Sequence, residues 1–547
     1  MLQVKVILVG EEEVVFVRRA SGLVRELTWF DVVIWSLACP AASGMTYYAV
    51  KMIGSPDTYG GNVALAFFIA GLVFLPLIIA FYHVSASYPR SSSLYVVISR
   101  ALHPILGYLP TWLYIVVACG LVCGFIMFIG LKALSGPLVV AGLSTGNKAL
   151  IDIGFAATDP TNQFIVTIIL VIVLWALNIG GIKVIKWVMR IGTLIPLVVT
   201  VATLIVVALQ PPGSGVTFFN NVYGSGVAEK IMEAALKEDV AKNYGIDVLT
   251  PIGFWLGTYG MLLWTLWAWT GLEITTFVGS EVKDPSKSYM RGLIIGYLLV
   301  MALYVFNGFI MPYVFDYDFL AAYSYLKYNY PEVLDQILGG RPAPDASVPF
   351  YLSLVYPNPV VAMLIGLAYF LWYLNTAIPC WVAAIRGFFA FSFDRVQPEK
   401  LAEVSPRFAA PTWANHITAI LGFLGVILTY FEHMGYEMPA IIISLFDFTT
   451  FILIWPLGLA IALLPWLKPD LFERTVFRSK IGTTILGIIV FGVGWWLMLY
   501  TAYYDPLLHI LNVTVVTIAV IVYAVMIARN RARGIDPLKI YGQIPPA

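Results

Sequence analysis

The stretch Trp269-Thr270-Gly271-Leu272-Glu273 puts a carboxylate and a helix breaker near the middle of a hydrophobic run from Pro251 to Ser280 that is long enough to cross a bilayer. A charge at the bilayer centre costs about 3 kcal/mol or more. Backbone that leaves the helical ladder at that depth must line a cavity or be covered by protein. A second interruption, Pro40-Ala41-Ala42-Ser43-Gly44, lies midway through the first hydrophobic run. Pro40 has no N–H and clashes with the preceding turn, so the helix stops or kinks there. A new helix beginning near Gly44 or Met45 presents the amides of Ala42, Ser43, Gly44 and Met45, with Ala41 beside them, as the positive end of a dipole. A small anion such as a carboxylate suits that position; the alternative is a proline kink filled by neighbouring helices. At the other interruption, a break near Thr270-Gly271 leaves the carbonyls of Trp267, Ala268 and Trp269 to face an ammonium group. Trp269 is placed to act as a lid, while Trp264 and Trp267 read as packing or interfacial aromatics. Low-dielectric surroundings favour the neutral acid at Glu273, which suits a proton carrier or a protonated donor; a structural carboxyl bonded to nearby backbone is the other reading.

The elements that hold these residues follow from composition. With 547 residues, 60% of them hydrophobic and 12% charged, and a mean hydropathy of +0.86, the chain is an all-α polytopic membrane protein. Twelve transmembrane helices are expected, over about 28–52, 62–84, 105–135, 161–179, 184–210, 252–280, 291–315, 358–391, 412–431, 438–465, 480–504 and 506–528. Most of the 32 Lys and Arg residues fall on the loops that share a side with both termini, so both termini are expected in the cytoplasm, with the chain in the cell membrane. The first 27 residues carry Glu11, Glu12, Glu13, Arg18, Arg19 and Arg25 and lack the continuous apolar core of a signal peptide. The two interrupted spans are the first and the sixth, an offset of five. The second unit therefore enters from the opposite face, which predicts a five-plus-five inverted repeat with a site between its halves. The division is a cytoplasmic segment 1–27, a ten-helix core 28–465, two further helices within 480–528 and a cytoplasmic tail 529–547. The long outer segments 211–250 and 316–357 can cap a vestibule or serve as plain connectors, and Ala228 to Lys242 reads as a surface helix.

Other candidates are weaker. Asp447, in the tenth span, either contacts a cation or locks helices together; Asn375, in the eighth, lines the cavity or bonds helix to helix. Cys39, Cys119, Cys123 and Cys380 all fall within spans and read as small buried hydrophobes, with no disulfide framework and no metal site. Gly142-Leu143-Ser144-Thr145-Gly146 fits Gly-x-Ser-x-Gly but sits in an outer loop, and the five histidines scatter near span ends. No phosphate-binding loop or zinc-protease motif is present. An enzyme is not expected, nor a cofactor or a nucleic-acid partner; energy must come from a gradient or from exchange.

Residues on both interruptions and several loops resemble the amino acid, polyamine and organocation permease superfamily, whose members share the LeuT-like fold. Ala42-Ser43-Gly44-Met45 is similar to that family's first-span Gly-Ser-Gly-Ile, and Trp269-Thr270-Gly271-Leu272-Glu273 to its sixth-span Phe-x-Gly-x-Glu. Glu281-Val282-Lys283-Asp284-Pro285, Tyr88 to Tyr95, Ser392-Phe393-Asp394-Arg395 through Pro398, and the tail with Arg533 to Asp536 and Pro545-Pro546 add to the likeness. The resemblance implies that the first-span segment binds a substrate carboxylate, the sixth-span carbonyls its amino group, Trp269 is an aromatic gate, and Glu273 couples protonation to conformational change. Ala42 departs from the usual first Gly. Ile195-Pro196-Leu197 stands where some proton-coupled relatives carry a lysine, and Ser91-Ser92-Ser93 replaces Ser-Gly-Gly.

The reading that combines these features is a secondary transporter of amino acids working by alternating access. Proton symport or substrate exchange is preferred to sodium coupling, and the partners are a small-molecule substrate, protons and lipid. Transport of polyamines, organic cations or ions by the same fold is one alternative; a non-transporting sensor or scaffold is another.

Overall fold

The computed structural model describes residues 16–17, 20–435, 441–504 and 508–545; at 41–43, 441–448, 501–504, 508–511 and 537–538 it describes the backbone alone. Among the described residues the fold is all-α, and its only β features are two isolated bridges, Leu27 with Val282 and Ser91 with Val278. Among the described residues ten helices are long and apolar enough to cross a membrane. They are Val63–Ser87, Pro104–Thr145, Pro160–Ile179, Gly181–Ala208, Pro285–Phe315, Pro359–Phe393, Thr412–His433, Thr449–Leu467, Lys480–Tyr500 and Asn512–Ala532. These fall on the second to fifth and seventh to twelfth expected spans. The remaining two expectations, the first and sixth, coincide with the two helices that change character partway.

Local chemistry explains where the spans begin. Asn62, Asp159 and Asn358 accept backbone N–H groups of the first turn through their side chains, and proline occupies the first helical position at Pro104, Pro160, Pro285 and Pro359. Such caps satisfy donors that a helix end otherwise leaves open, and proline's missing N–H costs nothing there. The third span is buried along nearly all its length, while the fourth, fifth, eleventh and twelfth turn most of their surface outward. Rows such as Ile165, Ile169 and Ile172 on the fourth span and Ile481, Ile485 and Ile488 on the eleventh are exposed. Apolar residues facing outward in a chain of this kind face lipid rather than water.

The two outer segments are more structured than plain connectors. Instead of one helix over Ala228 to Lys242, Val227–Leu236 and Glu238–Tyr244 form two, because Lys237 takes an extended conformation between them. In the second segment, Tyr317–Asn329 buries Phe319 through Leu326 and seats itself on the end of the first span, where the Ser324 hydroxyl donates to the Lys51 carbonyl at 2.8 Å. The Gly-x-Ser-x-Gly match ends a helix, Ser135–Thr145, with Gly146 in the left-handed region as its cap, as befits a helix end and not a catalytic turn.

At the face that carries the termini, Arg100 and Asp394 form a bidentate pair at 2.6 and 2.8 Å with both side chains buried, and Tyr95 OH donates to the same carboxylate at 2.7 Å. Removing one member of a buried pair strands the other charge. Arg100→Met is therefore expected to destabilise the protein by about 3–5 kcal/mol. A lowered thermal midpoint in detergent reads this out, with most of the loss recovered when Asp394→Leu is added.

Candidate functional site

The sixth span is α-helical from Phe254 to Trp269 and then breaks. Thr270 is extended (φ −65°, ψ 150°), Gly271 has φ 113°, and the chain resumes as tight 3-10 turns over Leu272–Phe277. Only glycine adopts that φ without strain. A side chain there also has no room: a Cβ on Gly271 would lie 2.8 Å from the Cβ of Cys39, the residue before Pro40. The two interruptions thus meet backbone to side chain at one depth, as their placement in sequence predicts.

The first interruption takes a different form from the expected one. Trp29–Ser43 stays α-helical through Pro40 and passes directly into a π-helical turn, Gly44–Tyr48. The anticipated fresh helix start, with a row of open amides at Ala42 to Met45, is replaced by a widened turn. Proline's effect is absorbed by a change of hydrogen-bond register, of the kind that π-turns provide at functional sites. Neighbouring helices secure the altered ladder. Asn307 in the seventh span donates to the carbonyls of Gly44 and Met45, at 3.5 and 3.3 Å, and the Thr376 hydroxyl of the eighth span lies 3.0 Å from the Ala38 carbonyl and 3.2 Å from that of Cys39. The side chains of Ala41, Ala42 and Ser43 lie outside the described residues, as does that of Asp447, whose backbone is part of the helix Ile441–Leu467.

Glu273 is fully buried at the start of the second half of the sixth span. Both of its oxygens accept from the Gly271 N–H at 3.0 Å, and Tyr114 OH donates to Oε1 at 2.8 Å. The carboxyl therefore caps the broken helix end and also reaches the third span, where Tyr114 opens a second π-helical segment, Tyr114–Leu121. Two of the three sixth-span carbonyls are already engaged. Thr270 donates to the Trp267 carbonyl from its N–H at 3.1 Å and its hydroxyl at 2.7 Å, and Tyr304 OH donates to the Ala268 carbonyl at 2.9 Å. Any ammonium that uses these oxygens must displace or share those donors.

Trp269 does not lie over the junction as a lid in this conformation. Its ring packs at 5.2 Å from Tyr297, 5.6 Å from Tyr304 and 6.2 Å from Phe74, and its indole N–H donates to the Phe67 carbonyl at 3.3 Å. That places it in the wall formed by the second and seventh spans. Asn375 is likewise drawn away, its amide donating to the Gly192 carbonyl of the fifth span; it takes the helix-bonding alternative. Met45, Ala268 and Thr270 are buried beside the breaks, and Trp267 meets Tyr48 with ring centroids 5.3 Å apart.

Several participants had no distinguishing mark in sequence. All four cysteines converge here: Cys39 and Cys380 approach to 3.9 Å, and Cys123 is hydrogen-bonded to the carbonyls of Cys119 and Ala377. Among the described residues no His, Cys, Asp or Glu group is arranged to hold a metal ion. Toward the face bearing the termini the junction is sealed. Glu26 and Leu27 N–H both donate to the Glu281 carbonyl, and Lys283 N–H to that of Leu27, which zips the entry of the first span to the exit of the sixth. Buried Glu281 and Arg386 form two bonds of 2.7 Å between the sixth and eighth spans, and Asp31 and Arg190 pair at 2.6 and 3.0 Å between the first and fifth. Beside them Lys186 bonds Glu26 at 3.1 Å and holds its carboxyl below the usual range. On the opposite side a cavity of about 160 Å³ opens above the junction, lined by Tyr48, Lys51, Trp264, Ser324 and Tyr328.

Two interrupted helices meet around a buried carboxyl, with one end of the junction zipped by ion pairs and a small cavity at the other. A family model described as amino acid permease matches residues 27–530. That match takes in every helix of the membrane core, and on it the chain belongs to the amino acid permease family.

Proposed function

We propose that this protein is a secondary active transporter of amino acids that works by alternating access, through proton-coupled symport or substrate exchange. The observation that carries the reading is the junction of the first and sixth spans, where irregular backbone is maintained deep in the bundle around Glu273. Irregular backbone at this depth costs stability, and a protein that only scaffolded others would have no use for it. The face with the termini is taken as cytoplasmic from the distribution of Lys and Arg. On that assignment the ion pairs Glu281–Arg386 and Asp31–Arg190 form the inner gate, and the 160 Å³ cavity is the outer vestibule.

A substrate descending from the vestibule meets Tyr48 and Trp264 first, and then the turn at Gly44 and the break at Gly271. The substrate carboxylate is assigned to the first-span turn over Ala41, Ala42, Ser43, Gly44 and Met45, and the ammonium to the sixth-span carbonyls of Trp267, Ala268 and Trp269, the first two of which exchange their Thr270 and Tyr304 donors for it. Glu273 is the proton-coupling group. Its bonds to Gly271 and Tyr114 join the break to the third span, so gain or loss of its proton alters how the sixth span is held against its neighbour. Opening to the cytoplasm requires the Glu281–Arg386 pair to part, and water entering the opened path offsets the loss of that contact.

The test is uptake into proteoliposomes across a panel of amino acids, polyamines and other amines, with pH and sodium gradients imposed separately. Amino-acid accumulation or counterflow is the expected result, and its absence for every compound rejects the reading. With a transported substrate in hand, Glu273→Gln should abolish pH-gradient-driven accumulation while leaving exchange measurable; an unaltered pH dependence assigns coupling elsewhere. Gly271→Val forces a side chain against Cys39, an overpacking of about 1–3 kcal/mol, and should raise the Kd for substrate or eliminate binding. Arg386→Gln should weaken the inner gate, seen as faster labelling of a cysteine introduced just below the junction by a membrane-impermeant thiol reagent applied from the cytoplasmic side.

A further inference from the structure

A cavity of about 840 Å³ lies away from the junction of the first and sixth spans, at the face that carries the termini. Its walls are the turn Ser87 to Arg90 after the second span, the end of the tenth span from Leu467 to Arg474, and the tail Tyr541 to Pro545. Four cations line it, Arg90, Arg100, Lys468 and Arg474, against one carboxylate, Asp470. Arg100 is spent on Asp394. Among the described residues no carboxylate lies within 4.0 Å of the charged groups of Arg90, Lys468 or Arg474. Like charges gathered round one concavity raise each other's energy, and an anion between them removes that cost.

We propose that this cavity binds a phosphate-bearing ligand, held by Arg90, Lys468 and Arg474 beneath the C-terminal tail. Among the described residues the Arg90 guanidinium donates to backbone carbonyls, from Nε to Pro545 at 2.5 Å and from Nη1 to Pro89 at 3.1 Å. Arg100 Nε donates to the Gln543 carbonyl at 3.1 Å. The tail therefore rests on these arginines through neutral acceptors. A phosphate oxygen is the stronger acceptor, and the planar guanidinium fork of Arg90 matches it in two-point geometry. Ligand and tail thus compete for Arg90, and occupancy loosens the last residues of the chain. The position is that of a membrane interface: Trp466 and Leu467 are exposed beside the cavity, and Lys480 lies over the Trp466 ring at 5.7 Å. An anionic lipid headgroup and a soluble phosphate compound share the chemistry the cavity offers.

The two sources are separated by testing the full chain in two settings. In nanodiscs, phosphatidylglycerol is compared with phosphatidylcholine alone; in detergent, inorganic phosphate and pyrophosphate are titrated. The readouts are the thermal midpoint and amide hydrogen exchange over residues 537–545. A rise in midpoint with faster exchange of the tail is the expected response. If phosphatidylglycerol alone produces it, the ligand is a lipid; if phosphate or pyrophosphate produces it saturably, a soluble ligand reaches the site. Lys468→Gln with Arg474→Gln alters two exposed side chains and leaves the fold intact. The double variant should weaken the response about tenfold or more, since two charge-assisted contacts are lost. No response in the wild-type protein, or an equal response in the double variant, overturns the proposal.

Discussion

Backbone polar groups inside a bilayer have no water to turn to, and that shortage governs the centre of this protein. Once the sixth span leaves the helix at Thr270, each group it frees must find a partner within the bundle. The Gly271 N–H finds the Glu273 carboxyl, the Trp267 carbonyl finds Thr270, and the Ala268 carbonyl finds Tyr304. Glu273 thus has a structural task before it has any other: it caps a helix end that would otherwise be unsatisfied. A group that caps backbone while also reaching Tyr114 links the local geometry of the break to its own protonation, because a neutral carboxyl and a carboxylate offer different numbers of acceptors.

The same shortage shapes the first span, with a different outcome. There the ladder is widened rather than cut, and two polar side chains, Asn307 and Thr376, are spent on the carbonyls around the change. The junction is consequently held from the third, seventh and eighth spans at once. One side is aromatic: Trp269 packs against Tyr297, Tyr304 and Phe74 in one wall. Glu273, Tyr114 and the thiols gather near two π-helical segments, Gly44–Tyr48 and Tyr114–Leu121.

Closure at the face of the termini is built from a different material. Between the first and sixth spans it is a short run of backbone hydrogen bonds, and between these spans and the fifth and eighth it is ion pairs with buried carboxylates. Pairs of this kind tolerate burial only while both partners remain in place.

Much of this was legible in the chain itself. Hydropathy along the sequence marked where the spans run, and Pro40 and the Thr270-Gly271 pair marked the helices that change character, because solvation of apolar side chains and the loss of an N–H or a Cβ are local properties. Glu273 stood out for a similar reason, as an acid in an apolar run. What sequence could not decide was direction about each helix axis. Sequence left Asn375 open between lining the cavity and bonding helix to helix and placed Trp269 as a lid; in the fold the Asn375 amide bonds the fifth span and the Trp269 indole the second. Sequence offered no partner for Glu281, Arg386, Asp31 or Arg190, and the four cysteines read as small buried hydrophobes, until packing brought these groups together. Depth in a membrane is encoded by the residue and its neighbours in the chain. Pairing depends on how helices far apart in sequence rotate and cross, which only the packed tertiary structure determines.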